Sequence, residues 1–314
     1  MSVPTDPTKE QSLHEDDVLE RIGKIVALDP TPRGELHLGD DAAVLLPFVG
    51  EAIVSTDVAV FGVHLDAELF SLGDLGFKAV ASALSDLAAM GARPRALVTA
   101  VTAPPGTDLE ALHRGIVEAS TLANCPVVGG DLSRGHDVAV TVTVLGECPG
   151  RGAVLRSGAK EGDELLVTGP LGRAAAGLRL RRAGASLDDE LVMAHRRPRP
   201  LLKEGMAARG AHVHAMMDIS DGLGLDLHRM ANASNVGFAL SDVPVAEGAT
   251  LEEAISGGED YELLIATNDP GRLRLMFYDR GLRKPLTIGV VLGDSSLRTL
   301  AGETFFRRGF EHQL

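Results

Sequence analysis

Apolar positions recur at helical spacing over Asp17 to Leu28, where Val18, Ile22, Ile25 and Val26 share one face. Two short apolar runs follow, Ala43-Val44-Leu45-Leu46 and Ala52-Ile53-Val54-Ser55-Thr56, and each predicts a strand. Acids bound both: Gly39-Asp40-Asp41 opens the first and Asp57 closes the second. The run Val58 to Leu65 comes next. Asp74 to Met90 predicts a long Ala- and Leu-rich helix, ended by Gly91 and Pro94. Its polar residues Lys78, Ser82, Ser85 and Asp86 fit one stripe. A solvated face explains that stripe, unless Asp86 has a partner. Arg95 to Thr102 predicts a strand, Asp108 to Ala123 an amphipathic helix, and Pro126-Val127-Val128 a buried strand opening into a loop, Gly129-Gly130-Asp131. Val138 to Leu145 closes this half.

A Gly, Arg and Lys-rich stretch from Pro149 to Gly162 predicts a link between domains. Beyond it the pattern repeats. Glu164 to Thr168 predicts a strand and Arg173 to Arg182 a helix, with helical segments to about Arg209. The run from His195 to Pro200 predicts a solvated loop or helix entry. Ala215-Met216-Met217-Asp218 predicts a strand that ends in acids, and Ser220 or Asp221 is placed to cap the helix behind it. The last motif, Gly257-Gly258-Glu259-Asp260-Tyr261-Glu262, stands at the mouth of a strand. Strand and helix alternate in both halves, which predicts an α/β (α+β) fold of two domains. The expected division is a flexible tail at 1–16, a first domain at 17–149 and a second at 150–314.

Composition narrows the chemistry. The 314 residues carry a net charge of −14 and only 4% aromatics, with no Trp. That is the wrong sign for nucleic acid or an anionic membrane, and it leaves no base-stacking platform. Cys125 and Cys148 have no metal-ligand spacing and read as buried thiols of a reducing compartment. The polar N-terminus lacks a signal-peptide core, and no apolar run approaches the roughly 20 residues that span a bilayer. The expected location is cytoplasmic.

Each acid alone has a plain explanation: a turn at Gly39-Asp40-Asp41, a solvated stripe at Asp86, a helix cap at Asp221. Together Asp41, Asp57, Asp86, Asp131, Asp218 and Asp221 fall mostly at strand ends and loop starts. Carboxylates from distant segments, with little His and no thiolate cluster, suit several Mg2+ ions better than zinc. Several Mg2+ ions beside a glycine-rich loop imply a nucleotide polyphosphate, and phosphoryl transfer needs mainly positioning and charge neutralisation. Neither a Walker A motif nor a kinase H-R-D loop is present. His64, just past Asp57, is either structural or a substrate contact. Phe310 is either a docking residue or a lid over a ring ligand.

These motifs resemble those of the thiamine-monophosphate kinases, members of the aminoimidazole-ribonucleotide-synthetase-like ATP-binding superfamily. They are Gly39-Asp40-Asp41-Ala42-Ala43, Ser55-Thr56-Asp57 with His64, Leu84-Ser85-Asp86-Leu87-Ala88-Ala89-Met90-Gly91, Gly129-Gly130-Asp131, Arg156-Ser157-Gly158-Ala159-Lys160, Asp218-Ile219-Ser220-Asp221-Gly222-Leu223 and Gly258-Glu259-Asp260-Tyr261-Glu262. The resemblance implies an N-terminal mixed-sheet domain that forms a homodimer and a C-terminal α/β domain that completes the site. It implies ATP-dependent phosphorylation of thiamine phosphate by direct in-line transfer, without a general base. Asp41, Ser55, Thr56, Asp57, Asp86, Asp131, Asp218 and Asp221 would form the Mg2+ shell. Gly130, Asp131, Arg156 and Ser220 would meet ATP, and His64, Glu259 and Phe310 thiamine phosphate. The sequence departs from the family pattern at Ala83, at Leu132 and in the tail after Phe310. The rival readings are another ATP-using enzyme of the superfamily, such as aminoimidazole-ribonucleotide synthetase or the hydrogenase-maturation carbamoyl dehydratase, and a non-catalytic nucleotide sensor.

Overall fold

A computed structural model describes residues 15–27 and 31–310. Residues 1–14 of the expected tail lie outside the described residues, as do Leu28 and the segment after Phe310. Glu15 already begins the first helix.

In chain order the first half comprises α1 (Glu15–Val26), β1 (Glu51–Val60), α2 (Leu72–Ala89), β2 (Arg93–Ala103), α3 (Leu109–Leu122), β3 (Val127–Arg134) and β4 (Ala139–Cys148). Its strands form a mixed sheet in the order β1-β4-β2-β3, antiparallel except for the parallel β2/β3 pair. α2 and α3 cover one face of this sheet. They approach closely because Gly76 and Gly115 leave room: a Cβ at Gly115 would sit 1.9 Å from the Gly73 carbonyl oxygen.

The second half comprises β5 (Glu164–Val167), α4 (Arg173–Arg182), α5 (Glu190–Arg196), α6 (Leu202–Ala211), β6 (Ala215–Asp218), α7 (Leu223–Ser234), β7 (Gly237–Leu240), α8 (Leu251–Ser256), β8 (Leu263–Thr267), α9 (Pro270–Tyr278), β9 (Leu286–Leu292), β10 (Arg298–Leu300) and β11 (Glu303–Thr304). Its sheet runs β11-β10-β7-β9-β5-β8-β6. β8 is buried along its whole length, and alternation divides it. Leu263 and Ile265 join a core that also holds Leu84, Leu87, Val142, Ala208 and Phe277 from both halves. Leu264 and Ala266 face a second core with Ile219, Leu223, Phe238 and Phe305.

α2 is the shared wall between the halves. Ser71 and Asp74 form a capping box at its start, and Arg196 and Arg197 at the end of α5 each donate to Asp74 Oδ1 at 2.8 Å. The basic run from His195 is therefore not a solvated loop. His195 is buried and the two arginines fasten α5 to the start of α2.

Two strand expectations change. Ala43 to Leu46 forms no buried strand: Val44 makes one bridge to Leu36, and Val44 and Leu46 stay exposed. A short apolar run fits an exposed extended segment equally well, and Pro47 denies this one a ladder. Gly129-Gly130-Asp131 is not a loop after a strand but lies within β3, paired with β2. A Cβ at Gly130 would stand 2.4 Å from the Thr99 carbonyl oxygen, so this glycine serves close strand approach.

Candidate active site

The strand β1 and the helix α2 meet at Ser55 and Asp86, where Ser55 Oγ donates to Asp86 Oδ2 at 2.5 Å. The next α2 position back, Ser85, is fully buried and donates to Asp218 Oδ2 at 2.6 Å. One turn of α2 therefore gathers the end of β6 and the middle of β1. Asp57 follows Ser55 on the same face of the sheet, since strand side chains alternate. Burial raises the Asp86 pKa and the neighbouring Asp57 carboxylate raises it further, while Arg156 opposes both. Asp218 is pushed up to about 7, by burial first and then by Asp86. The Tyr261 phenol is likewise raised, by burial and then by Glu259, Asp57 and Asp218, and Ser82 hydrogen-bonds it. Asp57 beside Asp86, and Asp86 beside Asp218, crowd negative charge into a half-buried seam that a cation would relieve.

Two loops of the second half are laced together beside this cluster. Glu259 N donates to the Ser220 carbonyl at 2.7 Å, and Tyr261 N to the Ile219 carbonyl at 2.9 Å. Asp226, fully buried on α7, accepts from Ser220 N at 3.0 Å and Asp221 N at 2.9 Å. Arg229 donates to both Asp226 and Asp221. Phe310 N donates to the Asp221 carbonyl at 2.9 Å, which sets the half-exposed Phe310 ring beside these loops. Arg156 is exposed on the link between the halves, near enough for its charge to act on Asp86. Adjacent residues in the middle of the link tie it to both halves, Val154 N donating to the Met90 carbonyl and Met216 N to the Leu155 carbonyl. His64 Nδ1 accepts from Val60 N at 3.0 Å in the turn after β1.

Three expected members of the shell stand elsewhere. Thr56 points to the open face of the sheet, where its hydroxyl meets Thr143 at 3.0 Å. Asp131 pairs in register with the exposed Ala100 and shares that open face, with Ser133 donating to it at 3.3 Å. Asp41 is exposed, and its amide bonds the Asp40 carboxylate. Among the described residues no hydrogen bond or ion pair joins Asp41 or Asp131 to the cluster, and no three His, Cys, Asp or Glu side chains are grouped to hold one ion.

The regions of the chain match two described sequence families: AIR synthase related protein, N-terminal domain, over residues 39–148, and its C-terminal domain over 160–297. A thiamine-monophosphate kinase of Mycobacterium tuberculosis is 37% identical over 281 residues, covering 82% of this chain and 84% of that one. The chain belongs to the thiamine-monophosphate kinase family. Among solved structures, the thiamine-monophosphate kinase of Stenotrophomonas maltophilia K279a superposes with a TM-score of 0.80 at 30% identity, over 91% of this chain and 96% of that one. AaThiL complexed with AMPPCP and TMP superposes with a TM-score of 0.75 at 25% identity, over 98% and 100%.

In this member of the kinase family, sequence reasoning missed Lys78, Ser85, Tyr261 and Asp226 as parts of the site. Lys78, Ser82, Ser85 and Asp86 lie at i, i+4, i+7 and i+8, the stripe read above as a solvated face. It instead faces the second half: Lys78 and Ser85 are buried, and Asp86 is half-buried. The signal was available. The other positions of α2 are apolar almost all round, which marks a helix enclosed by protein.

Proposed function

We propose that the protein transfers the γ-phosphoryl group of ATP to thiamine monophosphate, giving thiamine diphosphate and ADP. The observation that carries this reading is the convergence of Ser55, Asp57, Asp86 and Asp218 on one turn of α2, in a chain that shares its length and fold with kinases of this specificity. Mg2+ fits these residues: all are hard oxygen donors, and Asp86 and Asp218, raised by burial and by a neighbouring carboxylate, would be stabilised by a cation. Asp57, Asp86 and Asp218, with Ser55, would share the Mg2+ ions between them, and Asp221 on the neighbouring loop stands beside them. Bound Mg2+ would neutralise the repulsion between the acceptor phosphate and the triphosphate.

The chain's own groups position the two anions. Arg156 on the link, Gly130 and Asp131 on β3 and Ser220 are assigned to ATP. Glu259, His64 and Phe310 are assigned to the organic part of thiamine monophosphate, whose thiazolium cation suits a carboxylate and an aromatic face. The acceptor is already an anionic phosphate oxygen near neutral pH, so the residues need to align it and need not deprotonate it.

The same reading takes residues 17–149 and 150–314 as the two domains and infers a homodimer through the open face of the first sheet, where Val54 and Val58 are exposed. A cytoplasmic setting accords with two buried free cysteines, and among the described residues no helix is long and apolar enough to cross a membrane. Incubation with ATP, Mg2+ and thiamine monophosphate tests the reading. Thiamine diphosphate formed only with Mg2+ is the expected result. A folded, ATP-binding protein that forms none refutes it.

A further inference from the structure

Lys78 is only 2% exposed, and an ammonium in such a place is costly unless it is paired. Its Nζ lies 2.7 Å from Glu259 Oε1 and donates to the His64 carbonyl at 3.1 Å. The two partners come from opposite halves: His64 follows β1, and Glu259 lies in the loop between α8 and β8. Burial lowers the Lys78 pKa, and the Glu259 carboxylate works against that.

Glu259 is itself held under strain. Its φ of 70° is in the left-handed region that a side chain other than glycine's rarely adopts. Two contacts keep it there, its amide on the Ser220 carbonyl and its carboxylate on Lys78. Glu259 Oε2 lies 3.3 Å from His195 Nδ1, but neither ring nitrogen of His195 completes a hydrogen bond among the described residues. His195 is pushed down to about 2, by burial and then by Lys78 and Arg182, so its ring is neutral beside the carboxylate. Oε1 is thus committed to Lys78. Oε2 is the oxygen left for a ligand.

We propose that Lys78 is a positioning residue for the ring end of the acceptor substrate: it fixes Glu259 Oε1, turns Oε2 toward a cationic or N–H-bearing ring, and joins the Glu259 loop to the His64 turn. Because its partners belong to different halves, one buried ammonium makes the aim of Glu259 depend on the two halves being seated on α2. This rests on the assignment of Glu259 to thiamine monophosphate made above. Lys78 does not touch the substrate. It acts through Glu259.

The test compares Lys78→Met, which keeps the buried stem and removes the charge, with Glu259→Gln and the double variant. Lys78→Met is expected to raise KM for thiamine monophosphate about tenfold or more while kcat and KM for ATP stay within about threefold, since the lost interaction binds and orients one substrate only. The double variant is expected to have the KM of Glu259→Gln alone, because residues acting as one unit do not add. Should Lys78→Met fail to fold, the double variant, which leaves no lone buried charge, still carries the comparison with Glu259→Gln. A wild-type KM in Lys78→Met, an unchanged KM in Glu259→Gln, or a further tenfold rise in the double variant over Glu259→Gln overturns the proposal. A wild-type protein that makes no thiamine diphosphate is a different result, and refutes the kinase reading itself.

Discussion

Asp218 ends β6 with its carboxylate nearly buried and Ser85 Oγ 2.6 Å away. Its pKa, about 7 against an ordinary 3.8, lies above that of the unfolded chain. The folded protein therefore binds the extra proton. Stability contributed by this group is complete below about pH 4 and is lost as pH rises to about 7. In metal-free protein, Asp218→Asn is expected to reduce the slope over this range, leaving the share of Asp260, which burial also pushes up to about 7, and to melt no lower than wild type at pH 8. The same variant is expected to lose turnover and the stabilisation given by Mg2+ with ATP. Thermal melts at pH 5 and pH 8, with and without Mg2+-ATP, check both, and a variant with wild-type turnover removes Asp218 from the proposed shell. Residues of this kind were legible from sequence because an acid at the mouth of a buried strand needs a partner. Lys78 was not legible. A lysine on a helix usually has water to reach, and only the second half of the chain, packed on α2, takes that water away.

The helices and strands were mostly readable from periodicity, and the failures share a cause. Gly129 and Gly130 look like loop residues, but at Gly130 the deciding fact is the Thr99 carbonyl oxygen on a neighbouring strand, which sequence spacing does not encode. The seam between α2 and α6 repeats the point. A Cβ at Gly205 would stand 2.0 Å from the Ala88 carbonyl oxygen, so backbone meets backbone there. Gly205→Ala is expected to destabilise the protein by about 1–3 kcal/mol through overpacking, although alanine favours a helix. Urea unfolding measures this. A stabilised Gly205→Ala chain would show that the α2–α6 approach is looser than the structure has it.

At the scale of the molecule, the first sheet has one face covered by α2 and α3 and one face open, where Val54 is 63% exposed and Thr56, Val58 and Asp131 share the surface. A homodimer through this face would cover the valines and give Thr56 and Asp131 a wall opposite them. Val54→Lys is expected to separate the protomers, read as a halved mass in sedimentation equilibrium. A Val54→Lys chain that keeps the wild-type mass removes this face as the interface. Nothing in the alternation of β1 told which of its faces α2 would cover, because Ser55 and Asp57 make the covered face as polar as the open one.

The position of α2 between the halves also bears on how the chain is made. α2 ends at Ala89, yet the core it shares holds Ala208, Ile265 and Phe277, which are synthesised well over a hundred residues later. At roughly 5–20 residues per second, a ribosome exposes one apolar side of α2 for on the order of ten seconds before its cover exists. The first half thus leaves the ribosome with a surface that only the second half can close.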